Sequence, residues 1–292
     1  MKRNNLPWQS KLILLLVLPV VGCGIVLETS DWLASTPAVV YWTLGLSAAL
    51  GIVTFALRAA TPFAAITGAV ITAQLMYATV ATPFHVWRTY LIPVLAVSLL
   101  AFASTRVGRA KKERLGTAEA RRGRSAAQVA ANLGVAALIS TTLFGSWAMN
   151  SHWLPHSTTA LLAAALAAMA EAAADTVSSE IGQVFGGRPR MITTLKPVDP
   201  GIDGGITLAG SFTGIAAAAI VAALGSFAVH PELRFFVLTA AGAVFGLFFD
   251  SFLGATLERW GWLNNDGVNF LSTASAGGLA LWLANALLIS YS

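Results

Sequence analysis

The sequence predicts an all-α, polytopic membrane protein, and three observations carry that prediction. Hydrophobic residues make up 56% of the 292-residue chain and charged residues only 11%, whereas a soluble domain is about a quarter charged. Nine segments are apolar over about 17–25 residues, enough for a helix to cross a bilayer core. In a nine-span arrangement the basic residues then gather on one side, as the positive-inside rule requires of cytoplasmic loops.

The segments lie near residues 11–28, 37–57, 61–81, 87–104, 127–148, 158–178, 205–228, 233–253 and 268–290. The first apolar run, Leu12 to Leu27, has the look of a signal-peptide core. Equally apolar segments follow it at once, which makes it the first spanning helix instead. Only Thr61-Pro62 separates the second segment from the third, and the tract Ala160 to Ala174 is alanine-rich rather than strongly apolar. Small residues there favour close helix–helix approach. The expected count is therefore about nine, within a range of about seven to nine.

Orientation follows from charge. With Lys2 and Arg3 in the cytoplasm, the loop 105–126 falls inside with Arg106, Arg109, Lys111, Lys112, Arg114, Arg121, Arg122 and Arg124. So do Arg58, Arg188, Arg190, Lys196 and Arg259; only Arg88 and Arg234 of the 18 basic residues fall outside. This predicts an integral protein of a bacterial inner membrane with a cytoplasmic N-terminus. It also assigns the net charge of +5 to a membrane face, not to a nucleic-acid surface. The 105–126 loop itself has two readings, topology with attraction to anionic lipid or recruitment of phosphate.

Cys23 is the one cysteine, so an intrachain disulfide and a cysteine metal cluster are excluded; its place mid-helix predicts core packing. His85, His152, His156 and His230 fall on the external side without metal-ligand spacing and receive no chemistry. No internal repeat is visible, so an inverted-repeat transporter has no support. Residues 1–292 read as a single membrane domain, with few polar groups in the spans of residues 1–104 and the polar chemistry concentrated in 105–273.

Four constellations carry that chemistry. In Glu171-Ala-Ala-Ala-Asp175-Thr-Val-Ser-Ser-Glu180, residues four apart share a helix face, so Glu171, Asp175 and Ser179 align. Glu180 lies about 140° round from Asp175 and joins the site only if the helix ends or bends near Ser179. A buried carboxylate costs roughly 2.5–3.5 kcal/mol on insertion scales, so such acids are kept for cations, protons or a polar cavity. The loop 182–211 follows, with Arg188, Arg190, Thr193, Thr194, Lys196, Gly204, Gly205 and Thr207. Glycines there admit close backbone approach, cations and hydroxyls match phosphate oxygens, and a helix beginning near Gly205 would add free N–H groups. Asp250, Gly254 and Glu258 lie at i, i+4 and i+8. Finally, Asn265, Asn269 and Ser272/Thr273 form a polar stripe entering the last helix, with Asp266 placed to cap it.

Taken together these residues resemble an integral-membrane family that contains phytyl-phosphate kinase and transmembrane protein 19, the domain-of-unknown-function family 92. The resemblance is carried by Asp175-Thr-Val-Ser-Ser-Glu180-Ile-Gly, Pro189-Arg-Met-Ile-Thr-Thr-Leu-Lys196-Pro-Val and Gly201-Ile-Asp-Gly-Gly205-Ile-Thr-Leu-Ala-Gly210. Lys111-Lys-Glu-Arg-Leu-Gly116, Gln128-Val-Ala-Ala-Asn132, Asp250-Ser-Phe-Leu-Gly-Ala-Thr256 and Asn265-Asp-Gly-Val-Asn269 add to it. It covers residues 61–292 best, and residues 1–60 less well. The resemblance implies a nucleotide-dependent kinase that converts an isoprenoid monophosphate, phytyl or another prenyl phosphate, into the diphosphate, with CTP a plausible donor. Asp175, Glu180, Asp250 and Asp266 are then the expected ligands of Mg²⁺ or Mn²⁺. Lys196, Arg188, Arg190, Thr193, Thr194 and Ser179 are expected at phosphates, and Gly204, Gly205 and Thr207 at close backbone contacts. Asn265 and Asn269 would orient phosphates or the base. A cytidylyltransferase making a CDP-lipid and a lipid-phosphate transporter are the rival classes. Clustering of polar groups toward the cytoplasmic side favours an enzyme.

Overall fold

The computed structural model describes residues 6–120, 122–151 and 157–289; Lys2, Arg3, Arg121, His152 and His156 lie outside the described residues. The helices are α1 (Trp8–Ser35), α2 (Pro37–Ala56), α3 (Pro62–Tyr77), α4 (Leu91–Arg106), α5 (Arg109–Leu115) and α6 (Ala126–Ile139). They continue as α7 (Thr142–Asn150), α8 (Thr158–Phe185), α9 (Leu208–Val229), α10 (Leu233–Leu253) and α11 (Asn265–Ile289). A two-stranded antiparallel ribbon, β1 (Arg190–Met191) with β2 (Gly205–Ile206), closes the loop between α8 and α9.

Helix α8 is the hub. It packs against α4, α6, α9, α10 and α11, and 89% of its most apolar window is buried, against 28% in α1 and α2. The alanine tract explains this: with no side chain beyond Cβ, five neighbours approach the same helix closely. The outer helices instead show large apolar side chains such as Leu15, Tyr41 and Ile52 to the surroundings, as expected where lipid replaces water.

Among the described residues, five helices are long and apolar enough to cross a membrane by themselves: α1, α2, α8, α9 and α10, the last running on to Glu258. Counting each bent pair as one span, α4 with α5 (67°) and α6 with α7 (51°), gives up to seven, the lower end of the seven to nine expected from hydropathy. The predicted span 127–148 is broken because Thr141 leaves the helix. Its hydroxyl accepts from Phe144 N, restarting the chain as α7, while also donating to Leu138 O; such local side-chain bonds compete with the helical ladder.

One further expectation is corrected: Cys23 is exposed on the outside of α1 rather than packed in a core. The few polar groups expected in the spans before residue 104 include a buried pair: Glu28 of α1 accepts from the amide of Gln74 of α3 (3.1 Å), which also donates to Ser140 O (3.0 Å). That carbonyl sits at the α6–α7 break, so Gln74 supplies the donor the interrupted helix lacks.

One end of the bundle gathers the polar loops. Arg106 donates to Leu57 O, Lys111 to Val184 O, and Gln9 to Trp262 O. Arg124 N donates to Ala59 O and Thr61 N to Arg124 O, stitching the loop before α6 to the turn between α2 and α3. Gly123 makes this approach possible: its φ is +81°, and a Cβ there would overlap the Ala59 carbonyl group and Ala60 N. Gly123→Val is expected to cost about 1–3 kcal/mol through strain and displaced backbone. A lowered melting temperature in detergent would register it; an unchanged one would show the stitching to be dispensable.

Candidate active site

The acidic groups of three helices meet near this end. Glu171 and Asp175 lie one turn apart on α8, Asp250 comes from the end of α10, and Ser272 of α11, whose hydroxyl donates to Asn269 O (3.0 Å), neighbours both Glu171 and Asp250. Asp250 senses the charges of Asp175, Glu171 and Glu258, while Arg124 is the cation that offsets Asp175. Among the described residues, Glu171 Oε1 and Asp250 Oδ2 are buried with no hydrogen-bond partner. A buried carboxylate oxygen without a donor is relieved by a proton or a cation.

Local structure explains the convergence. Glu171 lies across Gly246 of α10, where any side chain would strike its Cγ at 2.6 Å. Past Leu253 the chain widens into a π-helical turn, Gly254–Glu258, a distortion concentrated at functional sites. The single α-helical face expected through Asp250, Gly254 and Glu258 is therefore not kept. Glu258 falls beside Asp203 and Asp175 while staying within reach of the charge on Asp250. Gly204 (φ +76°) packs directly on Ala255 of this turn, so the loop between α8 and α9 is pressed against it. Asp203, in that loop, has its carboxyl raised above the ordinary range by burial, with Arg259 countering.

Glu180 and Asp266 occupy other roles. Because α8 continues to Phe185 rather than ending near Ser179, Glu180 keeps its rotation away from Asp175 and pairs with Lys112 of α5. Thr105 Oγ1 donates to its other oxygen (3.3 Å). Lys112 is fully buried and also donates to Ser104 O (3.0 Å) and Thr105 O (2.8 Å). Asp266 accepts from Ser10 of α1 (2.6 Å), and it is Asn264, not Asp266, whose side chain accepts from Gly267 N at the start of α11. The four carboxylates Asp175, Glu180, Asp250 and Asp266 are thus not drawn into one coordination shell. Among the described residues no three His, Cys, Asp or Glu close on a single ion position.

The loop residues are mostly open. Arg188, Arg190, Thr193, Thr194 and Lys196 are exposed, with Arg190 donating to Leu195 O (2.9 Å). Thr207 is the N-cap of α9, accepting from Gly210 N (3.0 Å). That helix begins at Leu208, not near Gly205, since Gly205 and Ile206 are spent in the ribbon. Ser179 donates back to Thr176 O and is exposed. Asn265 is exposed at the start of α11, while Asn269 is half-buried one turn further in.

Sequence reasoning passed over Arg124 as a site residue. Its guanidinium donates to Thr176 Oγ1 (3.1 Å) beside Asp175. Charge alone did not separate it from its basic neighbours, but the adjacent Gly123, needed for the close approach, was a usable signal. Glu171 is read from sequence as aligned with Asp175 on one acidic face, while Ser272 and Glu258 are polar positions without a role assigned to them.

A bundle of long apolar helices with acids between them and a basic loop cluster at one end defines the class as a polytopic integral membrane protein. The chain matches the family model described as integral membrane protein DUF92 across residues 45–277 and belongs to that family. It is 33% identical over 200 residues to an uncharacterized membrane protein of Synechocystis, covering 67% of this chain and 73% of that one. It is 30% identical over 216 residues to the chloroplastic protein VTE6 of Arabidopsis thaliana, covering 69% of this chain and 62% of that protein. To protein PGR of the same plant it is 32% identical over 208 residues, 58% of this chain and 72% of that one. No solved structure matches it significantly.

Proposed function

We propose that the protein transfers the terminal phosphoryl group of a nucleoside triphosphate, CTP being the donor expected, to an isoprenoid monophosphate in the membrane. An oxygen of the acceptor phosphate attacks the γ-phosphorus, the bond to the β-phosphate oxygen breaks, and the products are a prenyl diphosphate and a nucleoside diphosphate. The observation that carries this reading is the pairing of the Asp175–Asp250–Glu171 cluster with Arg124 and the open basic loop at one end of the bundle. Relationship to VTE6, within a family that includes phytyl-phosphate kinase, supports it.

Positioning and charge neutralisation do most of the work in phosphoryl transfer. The donor set fits a divalent cation: hard carboxylate oxygens, two of them without partners. Mg²⁺ is commonly held by one or two carboxylates plus substrate phosphates rather than by a closed protein cage. Asp175 and Asp250 would hold the ion, with Glu258 adjacent; when bound it would neutralise charge on the transferred phosphoryl group. Lys196, Arg188 and Arg190, on the exposed loop, would draw in the triphosphate. Arg124 would hold the acceptor phosphate beside Asp175. No strong general base is needed, because the acceptor oxygen is already ionised.

Lys196→Ala is expected to raise KM for the nucleotide by about tenfold, roughly 1.4 kcal/mol, with kcat little changed. Unaltered kinetic constants would remove the loop from the site. The reaction itself is tested by incubating purified protein with Mg²⁺, γ-labelled and α-labelled CTP in parallel, and prenyl monophosphates, followed by thin-layer and mass analysis. γ-Label in a prenyl diphosphate supports the kinase. α-Label in a CDP-lipid would replace it with cytidylyl transfer, and no turnover with any nucleotide would sink both.

A further inference from the structure

A cavity of about 380 Å³ lies beside the acidic cluster, on the other side of Arg124, between α2, α3, α4 and α6. This is within the roughly 300–1,000 Å³ of small-molecule sites. Its depth is apolar, walled by Leu50, Val94, Val97, Phe102, Val129 and Leu133. Its mouth carries Arg58, Arg106, Arg109 and Arg124 against Glu119 as the one lining acid. None of these four arginines was singled out by sequence as a ligand for the acceptor.

Two details point to an occupant. Arg58 sits at φ +54°, in the left-handed region that usually selects glycine at a helix end. Among the described residues its guanidinium has no hydrogen-bond or ion-pair partner. Arg58 is exposed at the rim, so its guanidinium donors are open to an anion arriving at the mouth. Arg124 reaches from the rim to Thr176, next to Asp175, and Ala172, one turn earlier on α8, lines the cavity. An anion held by Arg58 and Arg124 therefore lies next to the acidic cluster, with an apolar chamber behind it.

We infer that this cavity binds the acceptor, a single-chain prenyl monophosphate, with its phosphate among Arg58, Arg106 and Arg124 and the first isoprene units in the apolar chamber. The identity of the acceptor rests on the phosphotransferase reading; the amphipathic shape and charge of the site do not. Gly68 offers a clean probe: it lines the cavity, and a Cβ there would have its nearest neighbour, Val129 Cγ1, at 3.9 Å. Leucine at that position adds apolar volume to the cavity wall from a site where the Cβ itself is accommodated, and it improves helix propensity. Ser98, which lines the cavity from α4, is the second position for the same replacement.

The test is photo-labelling of the full-length protein in nanodiscs with a diazirine-bearing farnesyl monophosphate, with labelled peptides mapped by mass spectrometry. Labels are expected on α3, α4 and α6 facing the cavity, competed by farnesyl monophosphate but not by farnesol, inorganic phosphate or phosphatidylglycerol. Gly68→Leu, Ser98→Leu and Arg58→Gln should each weaken labelling by about tenfold, and the two leucine variants should shift preference toward geranyl phosphate. Labels on lipid-facing surfaces, or equal competition by farnesol or phosphatidylglycerol, would overturn the assignment. Specific labelling in a protein that turns over no nucleotide keeps this site while removing the kinase. Turnover with unchanged chain-length preference in both leucine variants keeps the kinase and removes the site.

Discussion

Turnover should fall by at least about a thousandfold, roughly 4 kcal/mol of transition-state stabilisation, when Asp175 is replaced by asparagine, while the bundle stays folded. Asparagine has the volume of aspartate, and the tightly packed part of α8 is the alanine run that precedes this position, so the packing of the helix is kept. What goes is the negative charge, in a place where it is set against Arg124 on one side and Asp250 on the other. Removing it makes the neighbourhood of Arg124 more positive. The KM for a prenyl phosphate held there should therefore stay level or fall while kcat collapses, a split that general damage to the fold would not produce. Initial rates on γ-labelled nucleotide, with size-exclusion elution as the control for folding, decide it. Activity near the parent level would take Asp175 out of the reaction altogether.

Much of the architecture was legible because hydropathy reports directly on which segments are apolar: α2, α9, α10 and α11 fall within a few residues of the segments read from sequence, while α1 runs on to Ser35. Helix α8 was read as a span over 158–178 with small residues favouring close approach, but its place at the centre was not. Alanine is weakly apolar, so the tract around Leu166 reads as a poor span, although its small side chains are what lets five helices surround it. The break at Thr141 was hidden for a different reason, since whether a threonine caps a new helix or stays in an old one depends on local hydrogen bonding, not on composition. For the candidate site, Asp175 and Asp250 stand out in the sequence because carboxylates in apolar helices are costly anywhere. The partners of those acids were not, because sequence spacing does not say which loop cation folds back. Arg124 and Lys112 share one basic loop with Arg109 and Arg114, yet one meets Thr176, the other Glu180, and Arg109 pairs locally with Glu113. Glu180 depended on where α8 ends, and one extra turn to Phe185 decided it.

Replacing Lys112 by methionine should cost about 3–5 kcal/mol, as expected when one partner of a buried ion pair is removed and the other is left uncompensated. Every donor of this ammonium is in use, on Ser104 O, Thr105 O and Glu180, and its side chain is only 1% exposed. Methionine fills the volume but leaves two helix-end carbonyls of α4 and a carboxylate with the Thr105 hydroxyl as its remaining donor. Because Lys112 joins α5 to α8, the loss should appear as a lowered melting temperature in detergent, read by tryptophan fluorescence, rather than as a local change in the loop. The double replacement Lys112→Met with Glu180→Gln removes both charges and should restore most of the stability. Its activity then separates the two roles sequence and structure give Glu180. If the carboxylate only fastens α8 to α5, the refolded double variant turns over at close to the parent rate. If it also serves the reacting phosphates through its neighbour Asp175, the double variant is folded and inactive. A melting temperature unmoved by Lys112→Met alone would mean that this end of α8 is held by its other neighbours and that the ion pair is incidental.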